Sequence, residues 1–303
     1  MTRTRILPPA AVAIFLLGLF SPEIYDTDFW WHLRTGQYIV ETRSLPSPDP
    51  FAWTTAAARD TYPGESRTRR FNLTHEWLAQ SVLYSVWRAA GFAGVVAMRA
   101  VSMTLVCGLV GLVAWRRSNF ISAIAAALTA GAVLATLALD RPYQVTFLFL
   151  AATLAILEYR RWLWLLPPIF LVWANSHGGF FLGWIALAAH CGEAILRRKR
   201  DAHLWAVSAA CIAISAINPN GLAIFRTLLD YRASFMQSKL LEWTPPRLWP
   251  LSWFSALLFV AAIALALGWR KVRPADCLIF LAFAAASLTA QRNVFLTALV
   301  APP

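Results

Sequence analysis

The stretch FAGVVAMRAVSMTLVCGLVGLVAW, residues 92–115, decides the fold class. A membrane hydrocarbon core about 30 Å thick is crossed by roughly 20 predominantly apolar helical residues, and this run reaches that length. Outward from it, further apolar runs occupy residues 6–22, 120–139, 143–159, 162–175, 179–196, 203–217, 251–268 and 275–291. A tenth starts at Val294 and meets residue 303 too soon to cross, so a C-terminal remainder is expected beyond it.

Composition points the same way: 59% of residues are hydrophobic and only 14% charged, with mean hydropathy +0.56. That mixture departs from soluble domains. A formal charge of +12 would suggest nucleic acid in a soluble chain. Here the cations have a topological reading instead. The segments MTRTR (1–5), WRRSN (115–119), EYRRW (158–162), RRKRDAH (197–203) and GWRKVR (268–273) hold nearly half of the 27 Lys and Arg. They fall in every second loop, so the positive-inside rule places them and the N-terminus in the cytoplasm, and no nucleic-acid partner is expected. No small-residue cleavage site follows the first apolar run, which reads as an uncleaved helix. Cys107, Cys191, Cys211 and Cys277 lie within apolar runs without the close spacing of a zinc or redox pair, and read as small core hydrophobes.

The expected fold is therefore all-α: a single polytopic transmembrane helical bundle of nine or ten spans over residues 1–303. Its long first outer loop covers about 22–88 and its second about 218–250. In the first loop, the prolines of LPSPDPFAWTT forbid a long helix, and the basic stretch to Arg70 reads as loop. Two amphipathic pieces flank them, FWWHLRTGQYIVE (29–41) and HEWLAQSVLYSVW (75–87), and read as helices lying in the membrane interface. Thr74 is expected to cap the second, with Glu76 in its first turn. Phe29, Trp30 and Trp31 are expected to seat the first in the interface.

This topology gathers the unusual polar residues on the outer side. Asp26, Asp28, His32, His75 and Glu76 belong to the first loop; Asp140–Arg141, Asn175–His177, Asn218 with Asn220, Glu242 and Arg292 belong to later outer turns. Polar groups at membrane depth are costly unless they pair or line a cavity, so their convergence predicts one hydrated site. Each has an ordinary reading taken alone. NPNG (218–221) is first a turn, Trp30 and Trp31 are first interface anchors, and HEWLAQ lacks the second His of a zinc-protease helix.

Taken in order, DTDFWWHLRTGQYIV, LPSPDPFAWT, HEWLAQ, DRPY, ANSHGGFFLG, NPNG and the Arg292-Asn293 pair resemble a bacterial branch of the GT-C superfamily of membrane glycosyltransferases. That superfamily includes oligosaccharyltransferases, protein O-mannosyltransferases and lipid A aminoarabinose transferases. The resemblance covers essentially the whole chain. It implies a cell-envelope enzyme of the bacterial inner membrane, its active site facing the periplasm or exterior. Such an enzyme transfers a sugar with inversion from a polyprenyl-phosphate-linked donor to a protein, lipid or polysaccharide acceptor.

By the same resemblance Asp28 is the general base, with Asp26 the other catalytic candidate. Arg141 and Arg292 would hold the phosphate, and His75, Glu76, Asn175 and His177 would add phosphate or sugar contacts. Trp30, Trp31 and Trp77 would stack on sugar or line the lipid path. Asp26, Asp28 and Glu76 offer the hard oxygens that Mg or Mn takes, although a phosphate-ester donor can also leave with arginine help alone, so no cofactor is required. Members of the superfamily often continue with Tyr or Arg soon after the acid, where this chain has Trp30, Trp31 and His32. Two other readings remain. A transporter or flippase of lipid-linked sugars would cluster polar groups at the bilayer midplane on repeated halves. A GT-C-like scaffold would bind lipid-linked glycan without catalysis.

Overall fold

The structure, a computed structural model, describes residues 7–53, 60, 63–230 and 240–303. The basic MTRTR end and parts of both expected outer loops lie outside these residues. All regular elements among the described residues are helical: α1 (Leu7–Leu19), α2 (Asp28–Thr42), α3 (Glu65–Thr74), α4 (Trp77–Arg117), α5 (Phe120–Leu134), α6 (Tyr143–Tyr159), α7 (Leu166–Ala174), α8 (Phe181–Leu196), α9 (Ala202–Ile214), α10 (Ala223–Asp230), α11 (Trp253–Gly268), α12 (Pro274–Thr289) and α13 (Phe295–Val300). Every apolar run read from the sequence is thus helical over most of its described length.

Among the described residues, three stretches, within Glu65–Arg117, Phe120–Leu137 and Gly178–Leu196, are long and apolar enough to cross a membrane, and six further apolar helices have 10–17 residues. The 13-residue α1 rises only about 20 Å at 1.5 Å per residue, less than a hydrocarbon core.

Helix α4 is the spine. It runs for 41 residues and breaks once, at Gly91, whose φ of 61° and ψ of −157° suit only a residue without a Cβ. The limb before the break packs on α2. They come close together at Gly36, where an added Cβ would stand 2.0 Å from the carbonyl oxygen of Gln80. Phe29, Leu33, Leu83 and Tyr84 fill this contact as a separate small core, which Val95 joins from the limb after the break. The limb after the break joins the main core, which includes Leu16 and Phe20, Met103, Phe147, Trp173 and Phe283.

Three local expectations are corrected. Phe29 is fully buried against α4, so it anchors α2 to the protein, while Trp30 and Trp31 stay 57% and 39% exposed. The basic stretch read as loop as far as Arg70 is helical from Glu65 onward, as α3, opened by Gly64 and braced by an Arg69–Glu65 pair one turn apart at 2.9 Å. Thr74 closes α3 instead of capping α4: its hydroxyl donates to the Arg70 carbonyl at 2.7 Å, and Glu76 takes the cap position without a side-chain capping bond. Of the cysteines, Cys107, Cys191 and Cys211 are buried as expected, whereas Cys277 is partly exposed.

The helix array has two chemically distinct ends. At one, the last turns of α4 and α6 meet the start of α12. There Arg117 pairs with Glu158 and Asp276, each at 2.8 Å, and Arg273 pairs with Asp276 at 2.8 Å and with Glu158. Three of the basic loops read from the sequence converge there. The starts of α2, α4 and α6 and the ends of α7 and α12 carry the candidate site at the other.

Candidate functional site

Asp26 lies in the loop between α1 and α2. Its Oδ1 accepts the Asp28 backbone N–H at 3.1 Å, a short-range bond that sets the first turn of α2 and leaves Asp28 at its dipole-favoured start. Arg141 comes from the turn before α6. Its Nε and Nη2 donate to Asp26 Oδ2 and Oδ1 at 2.5 and 2.7 Å, a two-pronged grip on one carboxylate. Its Nη1 reaches Asp28 Oδ2 at 2.8 Å and Glu242 Oε2 at 3.4 Å. Glu242, in a short 3-10 turn (Leu241–Trp243), offers its other oxygen to Arg292 Nη1 at 3.2 Å, and the Arg292 guanidinium lies 4.5 Å over the Trp243 ring.

Five expected residues, Asp26, Asp28, Arg141, Glu242 and Arg292, therefore form one connected ionic chain drawn from four parts of the sequence. The geometry separates the two aspartates. Asp26 is 3% exposed, and although burial raises its pKa, the Arg141 bonds and the Asp28 N–H outweigh that and hold it below the usual range. The Asp28 side chain is 54% exposed and engages Arg141 through one oxygen. Burial opposes the charge of Arg141, but Asp26, Asp28 and Glu242 hold it firmly protonated.

A residue absent from the sequence-derived site supports this chain. Arg99, inside α4 and 1% exposed, donates through Nε to the Phe20 carbonyl at 3.1 Å, through Nη2 to the Pro22 carbonyl, and pairs through Nη1 with Asp140. It satisfies carbonyls left open at the end of α1 and ties them to the residue beside Arg141. The sequence signal was a lone cation within the apolar 92–115 run.

An apolar groove of about 380 Å³ opens beside Arg141. Leu78, Val82 and Leu83 line it from one limb of α4 and Met98 and Ser102 from the other, while Val145, Leu148 and Phe149 face it from α6. Arg99, Asp140 and Arg141 add polar groups to its lining. Its apolar walls suit a hydrocarbon chain and Arg141 an anion.

A second polar cluster surrounds Glu76. Its Oε1 lies 3.3 Å from His75 Nε2 and 3.8 Å from His177 Nε2, and its Oε2 lies 3.6 Å from His32 Nδ1. His75 donates from Nδ1 to the Phe71 carbonyl at 2.8 Å and stacks on the Phe71 ring. His177 accepts the Gly179 N–H at Nδ1, 3.0 Å away, and meets the Thr146 hydroxyl at 2.7 Å. Burial would raise the Glu76 pKa, but the histidines around it hold it well below the carboxylate range. Burial pushes His177 down to about 3 and also lowers His32, with Glu76 opposing both. Gln80 Nε2 lies 3.1 Å from His32 Nδ1. Neither Gln80 nor Thr146 was singled out in the sequence, because an amide or hydroxyl on a helix carries no pattern of its own.

Asn175 takes a different place. Its Oδ1 accepts Trp77 Nε1–H at 2.8 Å, and its amide donates to the Leu171 and Ile217 carbonyls at 2.9 and 2.7 Å. Both amide hydrogens and an oxygen are thus spent knotting α4, α7 and the segment after α9, and Trp77 is held in that knot rather than set free for a sugar. Asn218 and Asn220 form the expected turn, with the Asn220 N–H donating to Asn218 Oδ1 at 2.7 Å. Asn220 also bonds the Thr74 hydroxyl at 3.1 Å.

The Asp26, Asp28 and Glu76 set proposed for Mg or Mn is not gathered. Asp26 and Asp28 turn to Arg141 and Glu76 turns to the histidines, and among the described residues no three or more His, Cys, Asp or Glu are grouped to hold a metal ion. Compared with known protein families and with curated proteins, the chain matches none.

Proposed function

We propose that this chain is a membrane glycosyltransferase of GT-C type, a nine- to ten-span bundle of the inner membrane that takes its sugar from a polyprenyl-phosphate-linked donor on the extracytoplasmic side. One observation carries the reading: an apolar groove has Arg141 in its lining, and that guanidinium also touches an exposed carboxylate, Asp28. A lipid chain fits the groove, its phosphate fits the arginines, and the acid stands where an acceptor would approach.

In the proposed reaction the acceptor hydroxyl oxygen attacks the anomeric carbon of the donor sugar while the bond from that carbon to the phosphate oxygen breaks. The phosphate leaves with the bonding electrons and its developing charge falls to Arg141 and Arg292. Asp28 accepts the hydroxyl proton. Asp26, with both oxygens engaged, orients Arg141 and acts as a positioning residue.

The test is transfer from a polyprenyl-phosphate sugar in a reconstituted assay. Asp28→Asn is expected to fold and insert normally and to lose roughly 100-fold or more in rate, the scale of a lost acid–base catalyst. Retained transfer would sink the base assignment, and absence of transfer by the unaltered protein with every donor tried would favour the non-catalytic scaffold.

A further inference from the structure

The ionic chain has a feature that glycosyl transfer does not call for. The two oxygens of one carboxylate, Glu242, face two different guanidinium groups: Oε1 faces Arg292 at 3.2 Å and Oε2 faces Arg141 at 3.4 Å. The two arginines therefore stand one carboxylate apart, a spacing that the oxygens of a phosphate also bridge.

The rest of the Glu242 turn belongs to the Arg292 side. The Gln291 N–H donates to the Thr244 carbonyl at 2.9 Å, Gln291 Nε2 reaches the Thr244 hydroxyl at 2.9 Å, and Trp243 lies under the Arg292 guanidinium. Glu242 itself is exposed, with 40% of its side chain open to solvent, and its link to Arg141 is the longest of that arginine's ion pairs. The backbone is held, and only a side-chain rotation separates the carboxylate from Arg141.

We infer that Arg141 and Arg292 form a single anion seat and that Glu242 is the internal carboxylate that occupies it until a ligand phosphate takes its place. Glu242 offsets the charge of Arg292 beside Arg141, which Asp26 and Asp28 already pair, and competes with the ligand for both arginines. The inference rests on the phosphate-binding reading above and adds a competitor of defined sign: its removal tightens binding, whereas removal of either arginine weakens it.

The experiment measures binding of undecaprenyl phosphate, and separately of inorganic phosphate, to the full chain in detergent for the unaltered protein, Glu242→Gln, Glu242→Ala and Arg292→Ala. Both Glu242 variants are expected to bind the lipid phosphate roughly two- to fivefold more tightly, the scale of a solvent-exposed ion pair released, and Arg292→Ala more weakly. Unchanged or weaker binding by both Glu242 variants overturns the competitor role while leaving the phosphate reading intact. If none of the four proteins binds either ligand, both fall. If inorganic phosphate binds as tightly as the lipid and gains equally from Glu242→Gln, the seat stands and the lipid-linked donor does not.

Discussion

Arg99 and Asp140 form an ion pair almost wholly shut off from solvent, their side chains 1% and 2% exposed, one on the spine helix and the other next to Arg141 in the site. Such a pair is a weak source of net stability but a strong constraint, because removing one partner strands the other charge. The remaining Arg99 donors go to the carbonyls of Phe20 and Pro22, so the segment leading into Asp26 and the turn bearing Arg141 are held by the same guanidinium.

Arg99→Leu is accordingly expected to destabilise the protein by about 3–5 kcal/mol. Adding Asp140→Asn should restore part of that loss by removing the stranded charge. Thermal unfolding in detergent of the single and double variants checks both; equal loss in the two would show that the carbonyl bonds, rather than the ion pair, dominate.

Arg141→Lys keeps a charge but cannot grip both oxygens of Asp26 while reaching Asp28. We expect the fold to persist and lipid-phosphate binding to weaken roughly tenfold, the equivalent of one charge-assisted hydrogen bond. Titration with undecaprenyl phosphate measures it.

Acid should destabilise the protein through two buried histidines, opposed between 3.8 and about 6 by Asp140, whose pKa burial raises to about 6. His177 and His32 have pKa values lowered by burial, His177 to about 3 from 6.5, so the folded state binds fewer protons than the unfolded state between those limits. Stability then rises with pH across that window and falls as pH drops below 6.5, by up to about 1.4 kcal/mol per unit for each histidine. Glu76, held low, adds the same sign: its contribution is present above 4.5 and is lost on further acidification. Melting temperatures from pH 7.5 to 5 should fall, and His177→Asn should flatten the slope.

Gly36→Ala places a methyl group against the Gln80 carbonyl and must push α2 from α4. A loss of about 1–3 kcal/mol is expected, the usual cost of overpacking. Faster proteolysis between α2 and α3 would locate the loosening at this contact.

Much of the helical framework was legible because apolar length and punctuation are local signals. The run read at 143–159 is the helix Tyr143–Tyr159, opened by Pro142 and closed by Arg160 in the left-handed region. The residues of the ionic chain were legible as a set, since sidedness alone placed Asp26, Asp28, Arg141, Glu242 and Arg292 together. What escaped was non-local. Arg99 vanished into the average of a 24-residue apolar run, its partner 41 residues away. α3 escaped because ESRTRRFNLT has no apolar stripe and helps build its structure by burying Phe71, whose ring packs on His75. The Glu76 cluster was visible only as separate residues, His32, His75, Glu76 and His177, because a one-dimensional reading places residues on a side without saying which will touch.

The break at Gly91 has a consequence for the shape of the groove. Leu78, Val82 and Leu83 stand on one limb of α4 and Met98 and Ser102 on the other, and both limbs wall the same groove. The bend between them is therefore a caliper. One residue sets the angle between two walls, and a side chain added there, strained at its positive φ, would change that angle without removing either wall.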